Sequence, residues 1–474
     1  TLIRGGSSRG FYFAGDDVPP AGKGLEEFLL AVRGSPDPMG MDGLGGNTIL
    51  QSKTAVVSPS ARPDADVDYT FVQIFPDQPA TITYKMNCGN ISAGVPVFAL
   101  MKNMLGHVED GRRTVRAFST NTQKMMYMTL DVLNGEARVH GDTSIGGVPG
   151  TGAEILVDFR DQGGGFTGAT FPTGNLVDTV TMSDGSTIDV TVVDMVNICG
   201  FFRATDFGLG CTGLELPAAD GTIVEPPGML SRLTELRLRI AELIGWDQYT
   251  IDTIGKATLP FAVSVAEPAD YTDLDGRPVA AGDVDLVARF YLESIMHSAA
   301  PGSGSTCLAA AAAVPGTVPN SVLVDGPMRS GSGGDLTLGH PSGTFRLHVE
   351  PVAGATPTDV TYTALTFPRT ARIICDGRVY LMPGSPDAPG SLAHGADGER
   401  RDRRPAGRRR TRRPRRDGRG PRDRRRDDQR PRPSGPLGRR ERGDGEPARL
   451  RRTGQPGSGY RVAQQHRSDV GDRA

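Results

Sequence analysis

Two residues of this sequence are of types that pass protons, and each sits in a context that can tune it. Cys88 stands in KMNCGNISAGV, flanked by asparagines and a glycine just ahead of the apolar run VPVFALMKNML. Lys53 lies in ILQSKTAVVSPS, beside apolar Val56 and Val57. A lysine in such a strand ordinarily snorkels to solvent. If it faces a cleft instead, desolvation favours the neutral amine, which can take a proton. Cys88 has four open roles: core thiol, half of a disulfide, metal ligand or reacting acid. The 5 cysteines (Cys88, Cys199, Cys211, Cys307, Cys375) are odd in number and nowhere at CxxC spacing, which argues against a disulfide framework and a zinc site. A small buried hydrophobe is the commonest state of a free cysteine, and that reading is kept for Cys199, Cys211 and Cys375. Beside a helix start, Cys88 would be partly ionisable and competent to give or take a proton.

The turns RGGSSRG, GLGGN, NCGN, PGSGST and GHPSG are rich in glycine and small polar residues. A turn of this kind opening a helix presents unpaired N–H donors and the positive end of the helix dipole. Two such turns facing each other would hold the carboxylates of a di- or tricarboxylic acid, although each alone reads more readily as a plain turn. Neither GxxxxGK[ST] nor GxGxxG is present in RGGSSRG or GLGGN, so nucleotide binding is not indicated. Pro96 falls beyond the first turn of a helix starting at Asn90; the helix starts later, near Val95, or it kinks.

The elements that would position these residues come in two similar series. In the first, RGGSSRGFYFAG is a loop running into a strand, and GKGLEEFLLAVRGSPD is a helix stopped by Gly-Ser-Pro. NTILQSKTAVVSPS and DVDYTFVQIFPD have strand composition. After NCGN and its apolar run, RTVRAFSTNTQKMMYMTLDVLNGEARV reads as two strands around the LNGE turn. In the second series, VTVVDMVNICGFFRATDFG is strand-like with a turn at Gly200, and MLSRLTELRLRIAELIG has near-helical apolar spacing up to Gly245. ATLPFAVSVAEP and DVDLVARFYLE are strands, and HSAAPGSGSTCLAAAAAV takes the place that NCGN holds in the first series. LGHPSGTFRLHVEPV and RTARIICDGRVYLM close the body. The expected fold class is α+β, two pseudo-equivalent domains facing a shared cleft. They span 1–187 and 188–383, the last strand being free to return to the first domain.

Composition separates a third segment. Residues 397–474 carry 27 Arg, no Lys and 12 acids, while the first 396 residues carry 26 basic and 43 acidic side chains. From residue 384 apolar residues nearly vanish and no period of 2 or 3.6 survives, so 384–474 is expected to be a disordered Arg-rich tail. An alternate reading frame of GC-rich DNA, a polar tail without a role and an Arg-rich arm all fit it. Any nucleic-acid binding would be non-specific and electrostatic, since stacking aromatics and RNA-binding motifs are missing. The longest apolar run, CLAAAAAV, is far short of a membrane span. With no signal-peptide pattern, the expected location is cytoplasmic.

Eight stretches, in order, carry a family resemblance: RGGSSRGFYF, GSPDPMGMDGLGGNTILQSKTAVVSPS, DVDYTFVQIF, NCGNISAGVPVFAL, GVPGTGAEI, FPTGN, PGSGSTCLAAAAAVPGT and GHPSGT. Over roughly residues 2–383 the chain resembles the PrpF family, the 2-methylaconitate cis–trans isomerases with the related 4-oxalomesaconate tautomerases and 3-methylitaconate isomerases. The resemblance implies a diaminopimelate-epimerase-like fold, each domain a β-barrel-like mixed sheet around a central helix. It also implies a cofactor-independent isomerase that shifts a proton in an unsaturated di- or tricarboxylate, without metal. The catalytic pair falls on Lys53 and Cys88. Substrate carboxylates would be held by Ser7, Ser8, Asn87, Gly89 and Asn90. From the second domain Gly302, Ser303, Gly304, Ser305, His340, Ser342 and Gly343 would join them. Family members usually read RGGTSKG where this chain has Ser7 and Arg9, a change that bears on substrate choice. An amino-acid racemase or epimerase of the same fold is the alternative, but Cys307 comes late in PGSGSTC, inside the expected helix. A non-catalytic carboxylate binder is the second alternative. A homodimer is compatible with the sequence and not indicated by it.

Overall fold

The computed structural model describes residues 1–381 apart from 47, 77–80, 219–220, 224–225, 256 and 293–294; the expected tail from residue 384 lies outside the described residues. Nineteen strands form one continuous hydrogen-bonded sheet system. In the first half β1 (Leu2–Gly5), β2 (Ser8–Ala14), β3 (Lys53–Pro59), β4 (Val67–Ile74), β5 (Ile82–Thr83), β6 (Gly111–Ser119), β7 (Lys124–Leu133), β8 (Glu136–Ala137) and β9 (Ile155–Asp158) pair in the ladder 1-2-3-4-6-7-9. β5 and β8 are short additions to β4 and β7. The second half contains β10 (Asp178–Thr181), β11 (Thr187–Met195), β12 (Asn197–Arg203), β13 (Phe261–Ala266), β14 (Tyr271–Thr272), β15 (Pro278–Val279), β16 (Leu286–Leu292), β17 (Ile295–Met296), β18 (Gly334–His340), β19 (Gly343–Ala353), β20 (Val360–Arg369) and β21 (Ala371–Cys375). Here the ladder runs 10-11-12-13-16-18-19-20, and β14–β15 is a separate pair.

β20 belongs to both halves. Its first part pairs with β19 and its last four residues, Thr366 to Arg369, pair with β9. β21 then pairs with β1. Among the described residues β10 pairs only with β11, so a division at 187/188 would cut a hairpin; we place the change of half between β9 and β10.

The α+β class expected from the sequence is the one observed. Each half wraps helical turns that sit at its centre. In the first, α1 (Lys23–Arg33) lies outside, burying Leu25, Phe28, Leu29 and Val32 against Phe11, Val72 and Ile74 of the sheet. Gly34 at φ 88° ends it in the left-handed region that glycine tolerates. The central turns are α2 (Gly89–Ser92) and α3 (Val95–Met101). Pro96 is accommodated because the chain breaks at Ala93–Gly94 and a new helix begins at Val95, placing the proline in its first turn, where no N–H is needed. In the second half α4 (Met229–Leu243) covers β10–β12 from outside, α5 (Ile251–Ile254) is one turn, and α6 (Gly302–Ala312) is the centre. All 11 residues of α6 are buried, as expected of a helix apolar on every side. The main core is continuous across the halves, taking Ile91 and Phe98 from one centre and Cys307 to Ala312 from the other. A last short helix, α7 (Val318–Ser321), packs against α6.

Two expected turns fall elsewhere. Gly200 lies within β12, and the β11–β12 hairpin turns at Val196, φ 68°. Gly200 is required by α4: a Cβ there would stand 2.3 Å from Ile240 Cδ1. The segment around LNGE contains three strands, with the main β6–β7 hairpin turning at Thr120–Gln123 and Asn134–Gly135 leading only into β8.

Gly5 shows how closely the first sheet approaches α2. A Cβ on it would meet Asn90 O at 2.6 Å and the buried Tyr12 hydroxyl at 3.1 Å, and that hydroxyl donates to Ile91 O. Because a backbone carbonyl cannot swing aside, Gly5→Ala is expected to lower stability by about 1–3 kcal/mol, as overpacking does. Urea denaturation measures this; an unchanged midpoint would show that α2 is free to shift.

Candidate active site

Lys53 is the first residue of β3, paired with Gly10 of β2 and Gln73 of β4. Its amine is buried and donates to Gln73 Oε1 at 2.6 Å. The Gln73 amide cannot flip, because its Nε2 donates to the carbonyls of Ile49, Ser52 and Ile74. Burial pulls the Lys53 amine below the ordinary lysine range, and a charge on Cys88 opposes the shift. No carboxylate pairs with it among the described residues. A neutral amine donating one N–H to Gln73 keeps its lone pair for the cleft.

Cys88 caps α2 from an extended backbone, and its own N–H is taken by Asn87 Oδ1 at 2.8 Å. Asn87 is held in turn from the other half. Its N–H donates to Asn197 Oδ1 at 3.0 Å, and Asn197 Nδ2 donates to Ser303 Oγ at 2.8 Å in the first turn of α6. One asparagine at the start of β12 therefore ties the NCGN turn to the second central helix. Gly89 completes the join: a Cβ there would meet Phe159 and Phe367 at 3.1 Å and the Gly302 carbonyl carbon at 3.3 Å. The first turns of α2 and α6 touch, and their leading N–H groups precede any intrahelical acceptor.

A narrow cleft opens at this junction. It is lined by Lys53, Cys88, Ser8, Asn87, Gly89, Asn90, Gly302 and Ser303, eight of the residues expected from the sequence. Ser8 Oγ is buried there without a hydrogen-bond partner. Ser7, Gly304, Ser305, His340, Ser342 and Gly343 do not line it. Ser7 occupies the β1–β2 turn, where its N–H reaches Asn90 Oδ1 at 3.4 Å. Gly304 packs on Phe290, and Ser305 is already inside α6. His340 and Gly343 are paired across the β18–β19 hairpin, with Ser342 N–H donating to His340 Nδ1 at 3.1 Å and the Ser342 hydroxyl bound to Ser298 O. Tyr271 donates its hydroxyl to the carbonyls of His340 and Gly343, which anchors this hairpin to the strand pair beside it.

Four side chains at or near the cleft were not singled out from the sequence. Gln73 and Asn197 act as described above. His297 lines the cleft and is uncharged, its ring pushed down to about 4 mainly by burial. Arg369, at the end of β20, donates Nε to Asn90 Oδ1 at 2.8 Å and lies between Phe345 and Phe367, 4.1 and 4.6 Å from their ring centres. Burial lowers its guanidinium to about 9, which leaves it charged at neutral pH, and it too has no carboxylate partner among the described residues. The only signal for Gln73 was a lone amide in the apolar strand DVDYTFVQIF; Asn197, His297 and Arg369 gave none. A site with an uncompensated cation, a second buried amine, fixed N–H donors and one thiol is suited to an anionic substrate that exchanges protons.

Comparison with known proteins agrees in extent with this unit. A family model described as PrpF protein matches residues 1–382. The 3-methylitaconate isomerase of Eubacterium barkeri is 38% identical over 382 residues, covering 80% of this chain and 96% of its own. The (4E)-oxalomesaconate Delta-isomerase of Novosphingobium sp. (strain KA1) is 35% identical over 380 residues, covering 80% and 96%. The 2-methyl-aconitate isomerase of Cupriavidus necator is 33% identical over 396 residues, covering 81% and 96%. The crystal structure of a methylitaconate-delta-isomerase superposes with a TM-score of 0.67 at 35% identity, covering 84% of this chain and 97% of the other.

The buried amine has a pH signature. Unfolded, Lys53 has the ordinary lysine value of about 10.4; folded, its value lies lower. Between the two the unfolded state binds more protons, so this residue makes stability rise with pH across that window. Wild-type protein is therefore expected to gain on Lys53→Met as pH is raised from neutral toward 10, measured by urea denaturation at stepped pH. Parallel profiles for the two proteins would contradict the burial effect.

Proposed function

The chain belongs to the PrpF family and is an isomerase, and from that premise we propose that it shifts a proton and a double bond along an allylic unit of an unsaturated di- or tricarboxylate. The substrate class is that of 2-methylaconitate, 3-methylitaconate and 4-oxalomesaconate. The observation carrying this reading is that Lys53 and Cys88 line one cleft, the amine buried without a carboxylate counter-ion and the thiol at the start of α2.

Neutral Lys53 removes a C–H proton α or vinylogous to a carboxylate. The C–H electron pair enters the conjugated system and the double bond moves one position, giving a dienolate with charge on the carboxylate oxygens. Cys88 then protonates the far carbon, giving an allylic isomer with the same carboxylate charge as the substrate and leaving a thiolate, and the proton on Lys53 passes back to Cys88 directly or through solvent before the next turnover. The opposite assignment, Cys88 as base and Lys53 as acid, satisfies the same balance. N–H donors at the first turns of α2 and α6 offset the charge as it spreads. Arg369 supports the arrangement by holding Asn90 and keeping a positive charge nearby.

The racemase alternative asks for a second thiol facing Cys88. The geometry favours the isomerase, because Cys307 is buried inside α6 with its Sγ on Val193 O at 3.3 Å, and Ser303 occupies the helix start. Solvent-deuterium incorporation into 3-methylitaconate, followed by NMR, tests the reading. Lys53→Ala and Cys88→Ser are each expected to lose roughly 10²- to 10⁴-fold in kcat, the usual worth of a positioned acid or base. Turnover near the wild-type rate in both variants would remove the assignment; binding without exchange by wild type would favour a carboxylate-binding protein.

A further inference from the structure

The segment between β17 and α6 brings to the cleft a side chain that the acid/base pair does not use. His297 follows β17 directly, and its backbone N–H donates to Phe290 O at 2.8 Å, which extends the β16–β17 hairpin by one step and fixes the main chain there. The imidazole is 8% exposed and lines the same wall as Lys53, Gln73 and Cys88. On its inner side Nδ1 accepts the backbone N–H of Ala299 at 3.0 Å. A ring nitrogen that accepts an N–H bears no proton, so the proton of the neutral ring sits on Nε2. Burial is the main cause that keeps the ring neutral, a proton on Lys53 works in the same direction when it is there, and the Ala299 contact opposes them only in part. Nε2 has no acceptor among the described residues. A donor nine-tenths buried, held in one tautomer by its own backbone and left without a partner at the wall of the cleft, is built for an oxygen that the protein does not supply.

We propose that His297 is a catalytic hydrogen-bond donor whose Nε2–H bonds the substrate carboxylate oxygen that gains negative charge as the allylic proton leaves. The inference rests on the proton-shift reading above. In that step the electron pair freed from the C–H bond ends largely on carboxylate oxygens, and a donor already oriented toward them needs no reorganisation. The hydrogen bond strengthens as its acceptor oxygen gains charge, so the interaction is worth more in the transition state than in the ground state and acts on kcat.

Steady-state kinetics of the full chain with 3-methylitaconate test this, using His297→Phe, which keeps ring bulk without a donor, and His297→Gln, which keeps an amide N–H. The Phe variant is expected to lose roughly 10²- to 10³-fold in kcat, the cost of removing one donor to a developing oxyanion, with KM little changed. The Gln variant should recover part of that loss. A Phe variant with kcat near wild type would overturn the proposal, and so would a rise in KM alone or equal losses in the Phe and Gln variants. Should the Phe variant fail to fold, ¹⁵N NMR of wild-type imidazole in the presence of tricarballylate, a saturated tricarboxylate that cannot isomerise, replaces it. The His297 Nε2–H resonance is expected to move downfield on binding, and an unmoved resonance would overturn the proposal. If wild type fails to exchange any unsaturated polycarboxylate, the proton-shift reading falls and takes this inference with it; normal wild-type exchange with unaffected His297 variants removes this inference alone.

Discussion

Contact between the first turns of the two central helices is the constraint from which the rest of this structure follows. Gly89 and Gly302 meet there so closely that a Cβ on Gly89 would crowd Phe159, Phe367 and the Gly302 backbone, and Asn197 spans the join by bonding both Asn87 and Ser303. For two helix starts to touch, each must be ringed by sheet on its remaining sides. The β1–β9 ladder does this for α2 and α3, and the β10–β20 ladder does it for α6. β20 crosses from one ladder to the other at this level, and its last residue, Arg369, braces Asn90 from behind. Since the leading N–H groups of a helix have no partner in their own helix, the join concentrates donors at one point of an otherwise apolar core.

Such a point is electrostatically incomplete. Lys53 and Arg369 are buried without carboxylates, and His297 and Ser8 are buried with a donor or hydroxyl left over. A buried charge or unpaired donor costs stability unless something satisfies it. The arrangement is the familiar exchange of stability for function at a site, in which local consistency is given up only where a ligand restores it. The surface of the same domain obeys the opposite rule: Arg62, Arg116, Arg277 and Arg346 all sit beside Asp side chains.

Much of this was legible in the chain. Alternating and β-branched runs marked the long strands, Gly34 and Gly245 marked the ends of α1 and α4, and the small-residue turns marked where each central helix begins. Lys53 and Cys88 stood out because lysine is scarce and because a cysteine between asparagines is an odd neighbour for an apolar run. Gly200 was misread as a turn because a glycine in a strand pattern signals either a bend or a close approach, and only the position of Ile240 decides between them. The family resemblance puts the GHPSG turn among the substrate-holding turns; in the structure it lies outside the lining of the cleft at Lys53 and Cys88, with Ser342 donating to His340 and Ser298. Composition states that a turn has donors; it does not state which way they face.

The sequence by itself therefore determined most of the elements, the doubled order in which they come and the family, and it pointed to the two residues proposed to carry the proton. Those properties are local, or repeat along the chain, and hydrophobic period, glycine placement and motif order record them directly. Only the tertiary structure decided which turns share a cleft, that Gln73 orients the lysine, that Asn197 and Arg369 brace the NCGN turn, and that His297 presents one fixed nitrogen to the site. Those partners lie 20 to 279 residues apart in sequence. Their effect depends on distance and on which lone pair is already taken, and neither quantity exists until the chain has folded.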